Sequence, residues 1–142
     1  MLEKPLILCV DDSPSVLKGR KMLLEENGYR VLASANGKAA LQAFISNSVD
    51  LVLLDYHMPG INGDAVASRM RSVKPDVPIA LLSSDEFLPH AVLREVDHFI
   101  SKSEPIASFL EKIDHLLCLH FLFQPLDDLM TQNGVADGTT DD

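Results

Sequence analysis

Short apolar runs alternate along the chain with longer stretches in which apolar residues recur at helical spacing. Leu6 to Val10, Val31 to Ala33, Leu51 to Leu54 and Ile79 to Leu82 are compact and almost wholly apolar. Apolarity sustained over so few residues suits a parallel strand covered on both faces. His98 to Ser101 is a fifth, weaker candidate.

Helical stretches lie between these runs. Ser13-Pro14 reads as an N-cap followed by proline at the first helical position, and Asn27-Gly28 as a stop. Leu17, Leu24 and the adjacent Val16 and Leu23 would line one face of that helix. Asn36 to Ser46 sets Ala40, Leu41, Phe44 and Ile45 on one stripe, and Val66, Met70 and Val73 form another after Gly63. Glu104-Pro105 opens a last helix with Ile106, Phe109, Leu110, Ile113 and Leu117 inward. Parallel strands need crossovers, which are almost always right-handed. The alternation therefore predicts an α/β, flavodoxin-like doubly wound sheet of five parallel strands in the order 2-1-3-4-5, with five helices.

In such a fold, ligands bind outside the carboxyl ends of the strands, beside the switch point between the first and third. Along that edge the sequence offers Asp11 and Asp12, then Asp55, then Ser83 and Ser84, and finally Lys102. Three crowded carboxylates repel one another. A hard dication removes the conflict, so Asp11, Asp12 and Asp55 predict an Mg²⁺ site completed by an arriving phosphoryl group. Strand-end aspartates can also cap the following helices, but capping uses one side chain per helix and not a cluster. A carboxylate can attack phosphorus to form an acyl phosphate, and Asp55 ends the most apolar run just ahead of Pro59-Gly60. Mg²⁺, Lys102 and the Ser83 hydroxyl or nearby backbone N–H groups would neutralise the equatorial oxygens. Singly, Lys102 reads as a solvated lysine and Ser83 as a strand-end hydroxyl bonded to backbone. Their shared edge is what gives them chemistry.

The stretches ILCVDDSPSVLK (7–18), VDLVLLDYHMPGINGD (49–64), IALLSS (79–84) and FISKSEP (99–105) carry a family likeness. The sequence resembles the receiver domains of bacterial two-component response regulators, in particular their stand-alone, chemotaxis-regulator-like form, from about Leu6 to about Leu117. The Asp55-x-x-Met58-Pro59-x-x-x-Gly63 segment with the upstream acidic pair is its most specific part. The resemblance implies that a sensor histidine kinase or phosphotransfer protein phosphorylates Asp55. It implies that Asp12, Asp55 and the His57 backbone carbonyl ligate Mg²⁺, with Asp11 acting largely through water. Ser83 would be the switch hydroxyl, Phe99 the switch aromatic and Lys102 the phosphate-pairing cation. His57 and Asp85 would face each other across the mouth of the site as modulators of acyl-phosphate hydrolysis, and as an ion pair in the absence of ligand; imidazole is a poor Mg²⁺ ligand.

Departures from the family fall on the output side. Ser103 stands where proline usually follows the lysine, so Lys102-Ser103 is expected trans, with the ammonium farther from Asp55 than in a typical receiver. Glu95-Val96 replaces the usual Gly-Ala. The 19 positions from Ser83 to Lys102, with Pro89 among them, predict a short fourth helix. The family signals through the fourth helix, fifth strand and fifth helix, which is the surface these changes touch.

Two other functions compete with a phosphorylatable switch. A phospho-independent adaptor would show loss of an acidic residue, the hydroxyl or the lysine, and none is lost. A phosphatase of the haloacid dehalogenase type would want an acidic residue at position 57, which is His. No Gly-rich phosphate loop, zinc-ligand spacing or Ser-His-Asp pattern is present either. The chain is therefore expected to be a signalling protein and not an enzyme with an external substrate.

Composition sets the remaining bounds. With 46% hydrophobic and 23% charged residues, the 142-residue chain has the means for one folded domain. A net charge of −9 argues against nucleic acid as a partner. Five aspartates and no Lys or Arg follow Gln124, so that segment carries −5 of the charge. The expected organisation is a receiver domain over 1–123 and an acidic, flexible tail over 124–142, with no output domain following. Glu3, Lys4 and Pro5 interrupt any signal-peptide pattern and no run is long enough to span a membrane, which suggests a cytoplasmic protein. Cys9 and Cys118 read as two buried thiols. From Leu116 to Phe123 only His120 is polar, so apolar side chains must face every direction. That end of the last helix is expected to meet a downstream protein target, a second copy in a homodimer, or a fold-back of Leu126, Leu129 and Met130.

Overall fold

The computed structural model describes residues 3–85 and 88–123. Its strands are β1 (Leu6–Val10), β2 (Arg30–Ser34), β3 (Leu51–Asp55), β4 (Ile79–Ser83) and β5 (His98–Ser101). Helices α1 (Pro14–Glu26), α2 (Gly37–Ser46), α3 (Gly63–Val73), α4 (His90–Leu93) and α5 (Ile106–Leu122) alternate with them. All pairings are parallel and the sheet order is β2-β1-β3-β4-β5, as the alternation of runs and stripes predicts.

Every residue of β1, β3 and β4 is buried, while the edge strands β2 and β5 are only partly so. Side chains alternate across the pleat, so the sheet feeds two cores. Leu8, Val10, Val52, Leu54 and Leu81 pack with Phe44, Val66 and Met70 of α2 and α3. Ile7, Cys9, Leu51, Leu53 and Ile100 pack with Leu24, Phe109 and Ile113 of α1 and α5.

Side-chain caps fix the element ends. Ser13 Oγ accepts from Val16 N at the start of α1, and Asn36 Oδ1 accepts from Ala39 N at the start of α2. Gly28, at φ +93°, takes the chain out of α1 in a backbone region that side-chain-bearing residues avoid. Asp50, just before β3, accepts from Leu6 N, and Asp97, just before β5, accepts from Ile79 N. Each of these carboxylates thus caps the first N–H of a neighbouring strand. Lys74 Nζ reaches from the end of α3 to the Phe44 and Asn47 carbonyls at the end of α2.

Several inward assignments need correction. Val16, Ile45, Val73 and Ile106 are exposed. Val16 and Ile45 each adjoin a buried position, where one residue turns about 100° out of a narrow apolar stripe; Val73 is the last residue of α3 and Ile106 the first of α5. Cys118 is also exposed, beside buried Leu117, and only Cys9 is a core thiol. Leu116 joins the core. Helix α4 is a single turn, as the short spacing predicts. Leu119, Phe121, Leu122 and Phe123 stand exposed at the end of α5; Leu126, Leu129 and Met130 lie outside the described residues. No described helix is long and apolar enough to cross a membrane.

Candidate functional site

The carboxyl ends of β1 and β3 bring three carboxylates together. One oxygen from each of Asp11, Asp12 and Asp55 lies within 4.8 Å of the others. Asp11 and Asp55 are buried and Asp12 is exposed, because successive residues leaving β1 point to opposite sides. Gly63 holds the loop after Asp55 close to its strand. A Cβ there would meet the Asp55 carbonyl oxygen at 2.5 Å, and Gly63 N donates to Tyr56 O at 2.8 Å. Pro59-Gly60, with Gly60 at φ +85°, turns the chain between them.

Cations answer the carboxylates from two directions. Lys102, just past β5, places Nζ 2.8 Å from Asp55 Oδ1 and 3.4 Å from Asp11 Oδ2. The expectation of a more distant ammonium is therefore wrong: a backbone bond from Lys102 N to Ser83 O holds the residue at the edge, and its long side chain spans the remainder. No peptide bond among the described residues is cis, so Lys102-Ser103 is trans as expected. The Lys102–Asp55 contact has ion-pair distance without hydrogen-bond alignment, which leaves Asp55 Oδ1 a buried acceptor with no aligned donor. Arg20 of α1 places Nη1 3.5 Å from Asp11 Oδ2, and Ser13 N donates to Asp11 Oδ1 at 3.0 Å.

Burial raises the Asp55 pKa above the ordinary value of 3.8; Asp11 and Asp12 add to the rise and Lys102 opposes it. For Lys102, burial alone would lower the pKa, but the Asp55 and Asp11 carboxylates carry it above 10.5. The site thus pairs an ammonium firmly charged at neutral pH with a carboxylate whose ionised form is disfavoured by its surroundings.

The other residues singled out in the sequence lie around this centre. Ser83 is fully buried, and its hydroxyl accepts from Asp85 N at 3.0 Å, the backbone-bonded role weighed above. His57 Nε2 and Asp85 Oδ2 meet at 2.7 Å, with both side chains largely exposed. Phe99 is half-buried on β5, where it lines a 240 Å³ pocket with Leu93 and Val96. Arg20 is the site residue that apolar spacing did not single out; its legible trace is a basic residue between Leu17 and Leu24.

Comparison with known proteins gives this geometry its class. The family model described as "Response regulator receiver domain" matches residues 7–114, and the chain belongs to that family. A putative transcriptional regulator of Pseudomonas aeruginosa is 32% identical over 108 residues, covering 73% of this chain and 52% of that protein. The chain thus spans about half the length of that curated relative. A CheY-like response regulator receiver domain protein from Methanospirillum hungatei superposes with a TM-score of 0.81 at 25% identity, covering 86% of this chain and 100% of that one. The response regulator TrrA of Thermotoga maritima, solved in complex with Mg(2+)-BeF, gives 0.75 at 36% identity, covering 79% and 98%. TrrA has also been solved in complex with the histidine kinase ThkA, at TM-score 0.74 and 37% identity, covering 80% and 98%. The protein is a receiver domain of two-component response regulators.

Proposed function

We propose that the chain accepts a phosphoryl group on Asp55 in an Mg²⁺-dependent reaction and signals through protein contacts. The observation that carries this reading is the carboxylate cluster within 4.8 Å, with Lys102 at 2.8 Å from Asp55. The donor set is all oxygen, as Mg²⁺ prefers, and the unaligned Asp55 oxygen is the kind of buried acceptor a cation satisfies. Asp12, Asp55 and the His57 backbone carbonyl would hold the ion. Asp11, whose oxygens already face Ser13 N, Arg20 and Lys102, would act through water. Bound Mg²⁺ would supply charge neutralisation at the phosphoryl oxygens.

An Asp55 carboxylate oxygen forms the new bond to phosphorus as the bond to the donor's leaving atom breaks, and the leaving group takes that electron pair. Lys102 faces the developing charge. Ser83 would turn from Asp85 N toward the phosphoryl oxygens, and Phe99 would take up the space released. His57 and Asp85 would govern access of water to the acyl phosphate. A sensor histidine kinase or phosphotransfer protein is the proposed donor; the complex of TrrA with ThkA supports that class of partner. The proposed output surface is α4, β5 and the apolar end of α5, which would meet a downstream protein or a second copy. No external substrate is turned over, and the net charge of −9 makes the chain itself a poor nucleic-acid binder.

Incubation with acetyl phosphate and Mg²⁺, followed by intact-mass measurement, tests the reading. One phosphoryl adduct is expected on the wild type and none on Asp55→Asn or in excess EDTA. Undiminished labelling of Asp55→Asn would overturn it. Beryllofluoride with Mg²⁺ should shift the ring resonances of Phe99 in the same preparation; unmoved resonances would remove Phe99 and Ser83 from the switch.

A further inference from the structure

Helix α1 carries a cation where its spacing calls for an apolar side chain. Its buried positions are Leu17 and Leu24, and Arg20 lies three residues after the first and four before the second, on the same face. The Arg20 side chain is only 13% exposed. Removing a guanidinium from water is costly unless a counter-charge meets it. Among the described residues, its ion-pair partner is Asp11, at 3.5 Å.

The contact falls on an oxygen that is already claimed. Asp11 Oδ2 faces Lys102 Nζ at 3.4 Å as well as Arg20, while Oδ1 accepts from Ser13 N. Asp11 is thus saturated by groups of its own chain, whereas Asp12 makes no ion pair among the described residues. Three carboxylates with two cations leave the cluster one net negative charge, half what a dication carries.

We propose that Arg20 is a built-in counter-cation of the phosphoacceptor site: it holds Asp11 in place without a metal and opposes Mg²⁺ binding at Asp11, Asp12 and Asp55. The inference rests on the Mg²⁺-site reading above. Arg20 acts here as a positioning residue through Asp11. Its consequence is a site that fills only at higher free Mg²⁺ than one balanced by Lys102 alone, in a cluster whose like charges stay partly compensated when no metal is bound.

Calorimetric titration of the full chain with MgCl₂ at fixed ionic strength tests this without any phosphoryl transfer. Arg20→Met and Arg20→Gln should each bind Mg²⁺ on the order of ten-fold more tightly, the effect of removing one positive charge a few Å from a dication in a water-like dielectric. Arg20→Lys, which keeps the charge, should stay close to wild type. A gain in affinity cannot arise from a damaged fold, so the expected result separates an electrostatic role from a purely structural one. Wild-type binding matched by Arg20→Met and Arg20→Gln would overturn the inference and leave the Mg²⁺ site standing. Absence of Mg²⁺ binding by the wild type would overturn the Mg²⁺-site reading itself, and this inference with it.

Discussion

Asp55 is a carboxylate that its surroundings favour in the protonated form. Burial is the main cause, Asp11 and Asp12 reinforce it, and Lys102 offsets only part of it. A native pKa above the unfolded value means that the folded chain holds the proton more tightly. Stability from the neutral form is fully present below the ordinary carboxylate range and is lost as pH rises through the native value. At neutral pH and without metal, ionised Asp55 is therefore a net cost to the fold, even with Lys102 beside it. Asp55→Asn keeps the shape and removes the charge, so it should melt at a higher temperature than wild type at pH 7 in EDTA. The gap should narrow as the pH is lowered toward the ordinary carboxylate range. Thermal denaturation followed by circular dichroism measures both, and an equal or lower melting temperature for Asp55→Asn would contradict the account. The same logic explains why Lys102 needs no tuning: its pKa lies above 10.5, so its pairing persists across the whole physiological range.

At the scale of elements, what could be read from the sequence depended on how many faces an element buries. Strands covered on both faces need only a run, and β1, β3 and β4 were legible because nothing polar interrupts them. Helices bury one stripe, and composition alone does not say where it ends; hence Ile45 and Ile106 read as inward yet stand exposed. Arg20 is not legible in the sequence for the converse reason, since a cation in a helix reads as solvent-facing until its counter-charge, nine residues away at Asp11, is placed beside it. Strand capping by Asp50 and Asp97 has no sequence pattern of its own, because each partner N–H lies on another strand. The end of α5 is the element whose surplus was legible. Phe123 is 74% exposed and Leu122 72%, beside a groove lined by Pro5, Tyr29, Leu117 and Phe121. Contiguous apolar surface of this kind favours association. Light scattering should find wild type above monomer mass at high concentration, and Leu119→Glu with Phe123→Glu should restore the monomer. A wild type that stays monomeric, with solubility and stability untouched by the double substitution, would make the patch unimportant to self-contact.

For the molecule as a whole, charge sets the test that separates a metal site from a merely acidic protein. The chain carries −9, of which −5 falls after Gln124, outside the described residues. Any salt relieves diffuse repulsion of that kind, since screening depends on ionic strength and not on ion identity. A site that binds the native state alone behaves differently: it stabilises by mass action, by about 2.7 kcal/mol when the free ligand is at roughly one hundred times its Kd. In a domain of this size that is a rise of several degrees in melting temperature. Mg²⁺ should therefore raise the melting temperature of wild type well beyond NaCl at matched ionic strength. Asp12→Asn, which removes an exposed oxygen donor without unpairing a buried cation, should lose most of that difference. Neutralising Asp127 and Asp128 together as a control should preserve it, although it removes twice the charge. If NaCl reproduced the Mg²⁺ effect, or if the two substitutions reduced it in proportion to the charge they remove, the stabilisation would belong to the overall charge of the chain and not to the cluster at the ends of β1 and β3.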